Sequence, residues 1–111
     1  MKTTPEQFEQ FKAEFMRYVD IFGLSYKFYW EHKAKKSANA WVSIQDLKDR
    51  IATVGLAGNV DVPNVAELAK HEAIELLVGR LVVLAEDRYA TENEIDEERH
   101  ALIRILERII P

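Results

Sequence analysis

The chain contains no cysteine, three prolines and four glycines, and no apolar run long enough to cross a bilayer. The absence of cysteine excludes disulfide scaffolds, thiolate zinc sites and cysteine nucleophiles. The most apolar stretch, residues 74–85, is too short for a membrane span and contains Glu75 and Arg80. Because the opening residues are polar and lack a secretory pattern, we expect a cytoplasmic protein with no membrane partner.

Positive charge is also scarce, since 19 acidic residues outnumber 15 basic ones and the net charge is −4. A general nucleic-acid binder normally has a basic surface, so no nucleic-acid partner is expected. Apolar residues make up 48% of the chain and charged residues 31%, which is a globular balance. A length of 111 residues predicts one domain, residues 1–111, with a core of its own.

Local signals predict three helices. Thr4 is the predicted N-cap of the first helix, with Gln7 in the capping-box position and Gly23 as the stop. Asn64 and Thr91 are the predicted N-caps of two helices in the second half of the chain. We therefore expect one N-terminal helix and two C-terminal helices.

Between the helices, alternating or β-branched apolar residues predict three strands, at residues 24–30, 40–45 and 51–56. The connections between them are too short for crossovers, which favours a mainly antiparallel sheet. His32 continues the alternation of the first strand, and we expect it to be structural. The order helix, three strands, helix, helix predicts an α+β domain.

The segment that could carry chemistry lies on the second predicted helix. Residues four apart share a helix face, so His71 and Glu75 should project side by side, where an imidazole and a carboxylate can hold one divalent metal ion. Glu72 could then take a proton from a metal-bound water as general base. A third ligand would come from the last helix, where Glu98 lies on the apolar face and His100 on its flank.

One further feature supports the metal hypothesis, and a plainer interpretation of the same residues stands beside it. Gly79 removes a side chain one turn after Glu75, which predicts a close approach of the last helix. Under the plainer interpretation Glu75 is a solvated helix residue and no metal is bound. Glu98 then pairs with an arginine, for which the candidates are Arg88, Arg99 and Arg104.

The motif segment, residues 71–77, resembles a family of small phage- and prophage-encoded proteins with a zincin-like metallopeptidase fold. In that family the middle helix carries a His-Glu-x-x-His motif followed by a leucine-rich run. Residues 18–24 and 98–107 are similar to the family as well. The resemblance implies a minimal zincin-like α+β domain that works in the cytoplasm of the host cell.

Carried over residue by residue, the resemblance implies His71 as the first metal ligand, Glu72 as the general base, and Glu98 or His100 as the third ligand. Zinc or another divalent metal is the implied cofactor. The second histidine of the family is Glu75 here, and its negative charge makes the ion a weaker Lewis acid. The resemblance thus implies a degenerate metallopeptidase with weak or no activity.

The alternative function is a non-catalytic interaction or homo-oligomerisation module of phage origin. Tyr29 and Trp41 lie on the polar faces of their strands, where they could bind a peptide or protein partner. The aliphatic residues Ile105, Ile109 and Ile110 exceed the needs of one small core. They predict self-association through the last helix.

Overall fold

The computed structural model describes residues 2–111 and contains three helices and one three-stranded sheet. The predicted α+β class and the predicted order of elements are therefore confirmed. The elements in chain order are α1 (Pro5–Phe22), β1 (Lys27–Lys33), β2 (Ala40–Asp46), β3 (Ile51–Ala57), α2 (Val65–Glu86) and α3 (Glu92–Ile109).

Helix ends lie where local chemistry places them. The Thr4 hydroxyl accepts a hydrogen bond from the Gln7 amide at 3.1 Å, and the Gln7 side chain accepts one from the Thr4 amide at 2.8 Å. Thr91 and Glu94 repeat this capping box at the start of α3. Gly23 ends α1 with a φ of +72°, a conformation that glycine adopts at little cost.

The sheet is mixed, with strand order β1-β3-β2. β3 pairs antiparallel with β2, as short connections predict, but it pairs parallel with β1. The physical reason is that β3 is the most apolar strand and its residues 52 and 54–57 are all buried, which suits a central position. Strands that are neighbours in sequence, β1 and β2, are thus separated by β3.

The core lies between one face of the sheet and the helices α1 and α2. Phe11 and Phe15 of α1 are fully buried, and the Phe15 ring meets Phe28 and Trp30 edge-on, with centroids 5.3 and 5.6 Å apart. The opposite face of β1 carries exposed side chains, among them Tyr29. Among residues 2–111, no helix is long and apolar enough to cross a membrane.

His32 is structural, as predicted. The fully buried Thr3 hydroxyl donates a hydrogen bond to the Ala57 carbonyl at 2.7 Å and lies 2.8 Å from Nε2 of His32. The His32 ring also stacks on Phe8, with ring centroids 4.7 Å apart. Thr3 is in this way held against the ends of β1 and β3.

Candidate functional site

His71 and Glu75 lie side by side on α2, as their spacing predicts. Nε2 of His71 is 3.5 Å from Oε1 of Glu75. Both side chains face solvent, with exposed fractions of 67% and 56%. The pair therefore offers two ligand atoms on an open helix surface.

Glu72 has a different environment from its two neighbours. Only 7% of the residue is exposed. Burial raises the pKa of its carboxyl group, and the nearby His71 opposes this shift while Glu75 adds to it. A raised pKa suits a general base, but Glu72 is buried whereas His71 and Glu75 are exposed.

Glu98 forms an ion pair with Arg80, in which Oε1 accepts a hydrogen bond from Nε at 2.9 Å. The three arginines proposed from sequence, at 88, 99 and 104, are therefore not its partner. Arg80 lies nine residues after His71 and five after Glu75, which is about 13 and 8 Å along a helix axis. Glu98 is consequently held away from the His71–Glu75 pair.

His100 is directed along its own helix. Its Nδ1 lies 2.8 Å from the Asp96 carbonyl oxygen and 3.5 Å from an oxygen of the Asp96 carboxylate. About half of the His100 side chain is exposed. Its contacts are thus with the preceding turn of α3.

Gly79 does not provide the predicted gap for α3. A Cβ atom on Gly79 would lie 2.5 Å from Cδ1 of Ile44, so the residue that packs on this glycine belongs to β2. That prediction was wrong because α2 crosses the sheet on the Gly79 side, while α3 packs on another side of α2. The missing side chain serves the packing of helix on sheet.

Of the four predicted ligands, His71 and Glu75 are brought together, whereas Glu98 and His100 have other partners. Residues 2–111 contain no group of three or more His, Asp or Glu side chains placed to hold a metal ion. A catalytic zinc site takes three protein ligands and a water, whereas His71 and Glu75 supply two. The residues present do not fit a zincin centre.

No family model, curated protein or solved structure matches the chain. The likeness to phage zincin-like proteins therefore stays a prediction that depends on residues 71–77.

Of the two aromatic residues predicted to bind a partner, Tyr29 and Trp41, the second already contacts other residues of the chain. Trp41 lies over Gly55, and its Nε1 donates a hydrogen bond to Glu31 at 3.1 Å. Nζ of Lys35 sits 4.8 Å from the centre of the Trp41 ring. Tyr29 is the more available ring, with half of the residue exposed.

Sequence reasoning missed a cleft of about 160 Å³ between α2, α3 and the turns that flank β1 and β3. Its polar lining is Arg50, Arg80 and Glu98. The available signal was Arg80 itself, a charged residue inside the most apolar stretch of the chain. A charge in that setting needs a partner, which its spacing alone does not identify.

Exposed aliphatic side chains are concentrated on α2 and α3. No residue of α3 is fully buried, although apolar residues recur along it at helical spacing. Of the three aliphatic residues predicted to exceed the needs of the core, Ile105 and Ile109 pack partly against it and Ile110 is exposed. Ile103 and Ile110 are 41% and 61% exposed, and with Leu106 they form what we name the outer stripe of α3. Ile74 and Val82 of α2 are exposed to a similar extent.

Proposed function

We propose that this protein is a self-associating interaction module in which the α3 helices of two copies pair through their outer stripes. The observation that carries the proposal is that Ile103 and Ile110 are exposed and that no residue of α3 is fully buried, although Ile105 and Ile109 pack partly against the core. An amphipathic helix is stabilised mainly by burying its apolar face. A second copy supplies the missing cover for Ile103, Leu106 and Ile110.

The charges of α3 favour a second copy as the partner. Residues 92–98 contain five acidic side chains and no basic one, whereas residues 99–108 contain three arginines and one glutamate. In an antiparallel pair centred near Ile103, Arg99 of each helix lies opposite Glu107 of the other. A twofold axis requires this self-complementarity, because the same patch serves both copies.

The shape of the chain is consistent with an uncovered side. The radius of gyration is 14.9 Å, compared with about 13 Å for a compact domain of this length. α2 also carries apolar residues on every side, a pattern typical of a helix covered all round. Pairing of two copies would cover part of this surface.

The test is sedimentation velocity across a range of protein concentrations. We expect the wild-type chain to dimerise and the Ile103→Glu variant to dissociate at least tenfold more readily, since a carboxylate would be buried in the interface. Ala13→Glu, which adds the same charge at an exposed position of α1, should leave the dimer unchanged. A wild-type chain that stays monomeric throughout contradicts the proposal.

Weak binding of a divalent metal ion, in a protein with little or no peptidase activity, is the second candidate function. The contact between His71 and Glu75 favours it, because a histidine and a carboxylate already adjacent can take up a divalent ion weakly. We expect such binding to be lost in His71→Ala, as measured by zinc titration. An unchanged zinc affinity in that variant would remove the metal site from consideration.

A further inference from the structure

The cleft beside α3 combines charged and aliphatic walls. Arg80 and Glu98 form one side, and Arg50 approaches from the turn between β2 and β3. Leu77, Leu102 and Ile105 are among the apolar residues that complete the lining. Two guanidinium groups and one carboxylate leave the cleft with one net positive charge.

Donor groups at the cleft exceed the acceptors that the described chain offers. Arg80 uses Nε on Glu98 and Nη1 on the Leu47 carbonyl, at 2.9 and 2.7 Å; no acceptor among residues 2–111 bonds Nη2, although the Tyr26 hydroxyl lies close to the guanidinium group. The Arg50 side chain makes no hydrogen bond or ion pair with the same residues. An acceptor that enters the cleft can therefore bind both guanidinium groups.

The Tyr26 hydroxyl lies next to the same charged groups. Within residues 2–111, this hydroxyl is the single buried side-chain polar atom without a hydrogen-bond partner. Burial raises the pKa of Tyr26, and the neighbouring Arg80 and Arg50 oppose that shift. The hydroxyl therefore lies close to the Arg80 guanidinium group, although Tyr26 itself does not line the cleft.

The backbone of Arg50 points to the same site. Its φ is +56°, the one positive value at a non-glycine residue of the described chain. Glycine or asparagine is preferred at such a position in a turn between two strands, because a side chain there crowds the backbone. An arginine occupies this position despite that cost, and its side chain lines the cleft.

We propose that the cleft binds a monocarboxylate with a short branched aliphatic chain. The carboxylate would bind Arg50 and Nη2 of Arg80, since guanidinium groups match carboxylate geometry and one negative charge neutralises the cleft. The aliphatic part would lie against Leu77, Leu102 and Ile105. A volume of about 160 Å³ is close to that of a cavity known to hold benzene, so a ligand of about six or seven heavy atoms fits.

The carboxylate can belong to a small acid or to the C-terminus of a peptide. Isovalerate and the tripeptide Ala-Ala-Leu serve as the two probes, each compared with its neutral amide. The readout is the shift of the Gly23 and Ala101 amide signals in ¹H–¹⁵N correlation spectra, since both residues line the cleft. We expect isovalerate to bind with a Kd of about 1 mM, as is typical for a ligand of this size, and isovaleramide not to bind.

Ala-Ala-Leu binding more tightly than isovalerate would identify a chain terminus as the source of the carboxylate, and weaker binding would identify a small acid. Either result supports the cleft as a carboxylate site. If neither acid shifts these signals, or if the amides bind as well as the acids, the proposal is overturned.

Arg50→Gly is the decisive variant, because it removes the guanidinium group and relieves the positive φ, so the fold is kept. We expect its Kd for the probe that binds to rise about tenfold or more. Lys48→Gly is the matched control, since it removes one positive charge from the same turn without altering the cleft lining. Equal weakening in both variants would mean that only net charge matters, and would overturn the site.

Discussion

Gly55 occupies the centre of the sheet because Trp41 needs its space. The two residues are cross-strand partners, and a Cβ atom on Gly55 would overlap the Trp41 ring. We predict that Gly55→Ala lowers the free energy of unfolding by about 1–3 kcal/mol through overpacking, as measured by urea denaturation.

Trp41→Ala provides the control background for that measurement. Once the indole is absent, alanine at position 55 should cost nothing or stabilise the strand, because glycine itself is unfavourable there. A loss of equal size in both backgrounds would show that the cost has another origin.

The burial of Glu72 should make the free energy of unfolding depend on pH. Burial raises the pKa of Glu72 in the folded protein above its value in the unfolded chain. The protonated carboxyl group therefore makes its full contribution to stability below about pH 4, and this contribution is lost as the pH rises through the folded-state pKa. We predict that Glu72→Gln is more stable than wild type at pH 7, with the difference closing as the pH falls below about 4. Urea denaturation over a pH series measures this difference.

Glu75→Gln is the comparison variant, since it removes a carboxylate that is exposed one turn away. If the two variants show the same pH profile, general loss of negative charge explains the effect and the burial of Glu72 does not.

At the scale of elements, the proposed pairing of α3 fixes distances that can be measured. The absence of cysteine allows a spin label at a single introduced thiol. In an antiparallel pair centred near Ile103, two labels at Asn93→Cys should lie about 30 Å apart, from the 1.5 Å rise per residue. Double electron–electron resonance measures this separation.

Arg104→Cys is the matched position near the proposed axis, where the labels should lie close to one interhelical distance, about 10 Å, in either orientation. Short distances at both positions would indicate a parallel pair and would contradict the antiparallel arrangement.

The helix caps and the strand order show what the sequence can and cannot predict. Thr4, Thr91 and their partners three residues later act within one turn, so short windows of sequence identify them. The insertion of β3 between β1 and β2 depends on how much apolar surface each strand buries. That comparison involves the whole chain, which is why a rule about connection length did not predict the parallel pair.

The candidate site likewise contains local contacts, which the sequence predicts, and contacts between elements, which it does not. The His71–Glu75 contact follows from helix periodicity alone. The Glu98–Arg80 pair and the contact of Ile44 with Gly79 join different elements, so their geometry exists only once α2, α3 and β2 have packed. The sequence spacing could identify these residues as candidates, but it could not predict which residues they contact.

On the scale of the whole molecule, the net charge of −4 conceals two unlike parts. Residues 25–60, which contain the sheet, carry six basic and three acidic side chains, whereas residues 61–111 carry six basic and twelve acidic ones. The net charge is an average over both parts. An expectation about partners that is drawn from it therefore describes neither the sheet segment nor the helical segment. The acidic excess lies on the segment that contains α2 and α3.

The central position of β3 also has a consequence for how the chain reaches its native state. The turn between β2 and β3 spans only four residues, so these strands can close into a hairpin early, whereas β1 must wait for a partner that is synthesised later. Until that hairpin docks, the backbone groups on the inner edge of β1 are open to any extended segment nearby. Exchange of hairpins between two folding chains is therefore the misassembly to which this topology is most exposed.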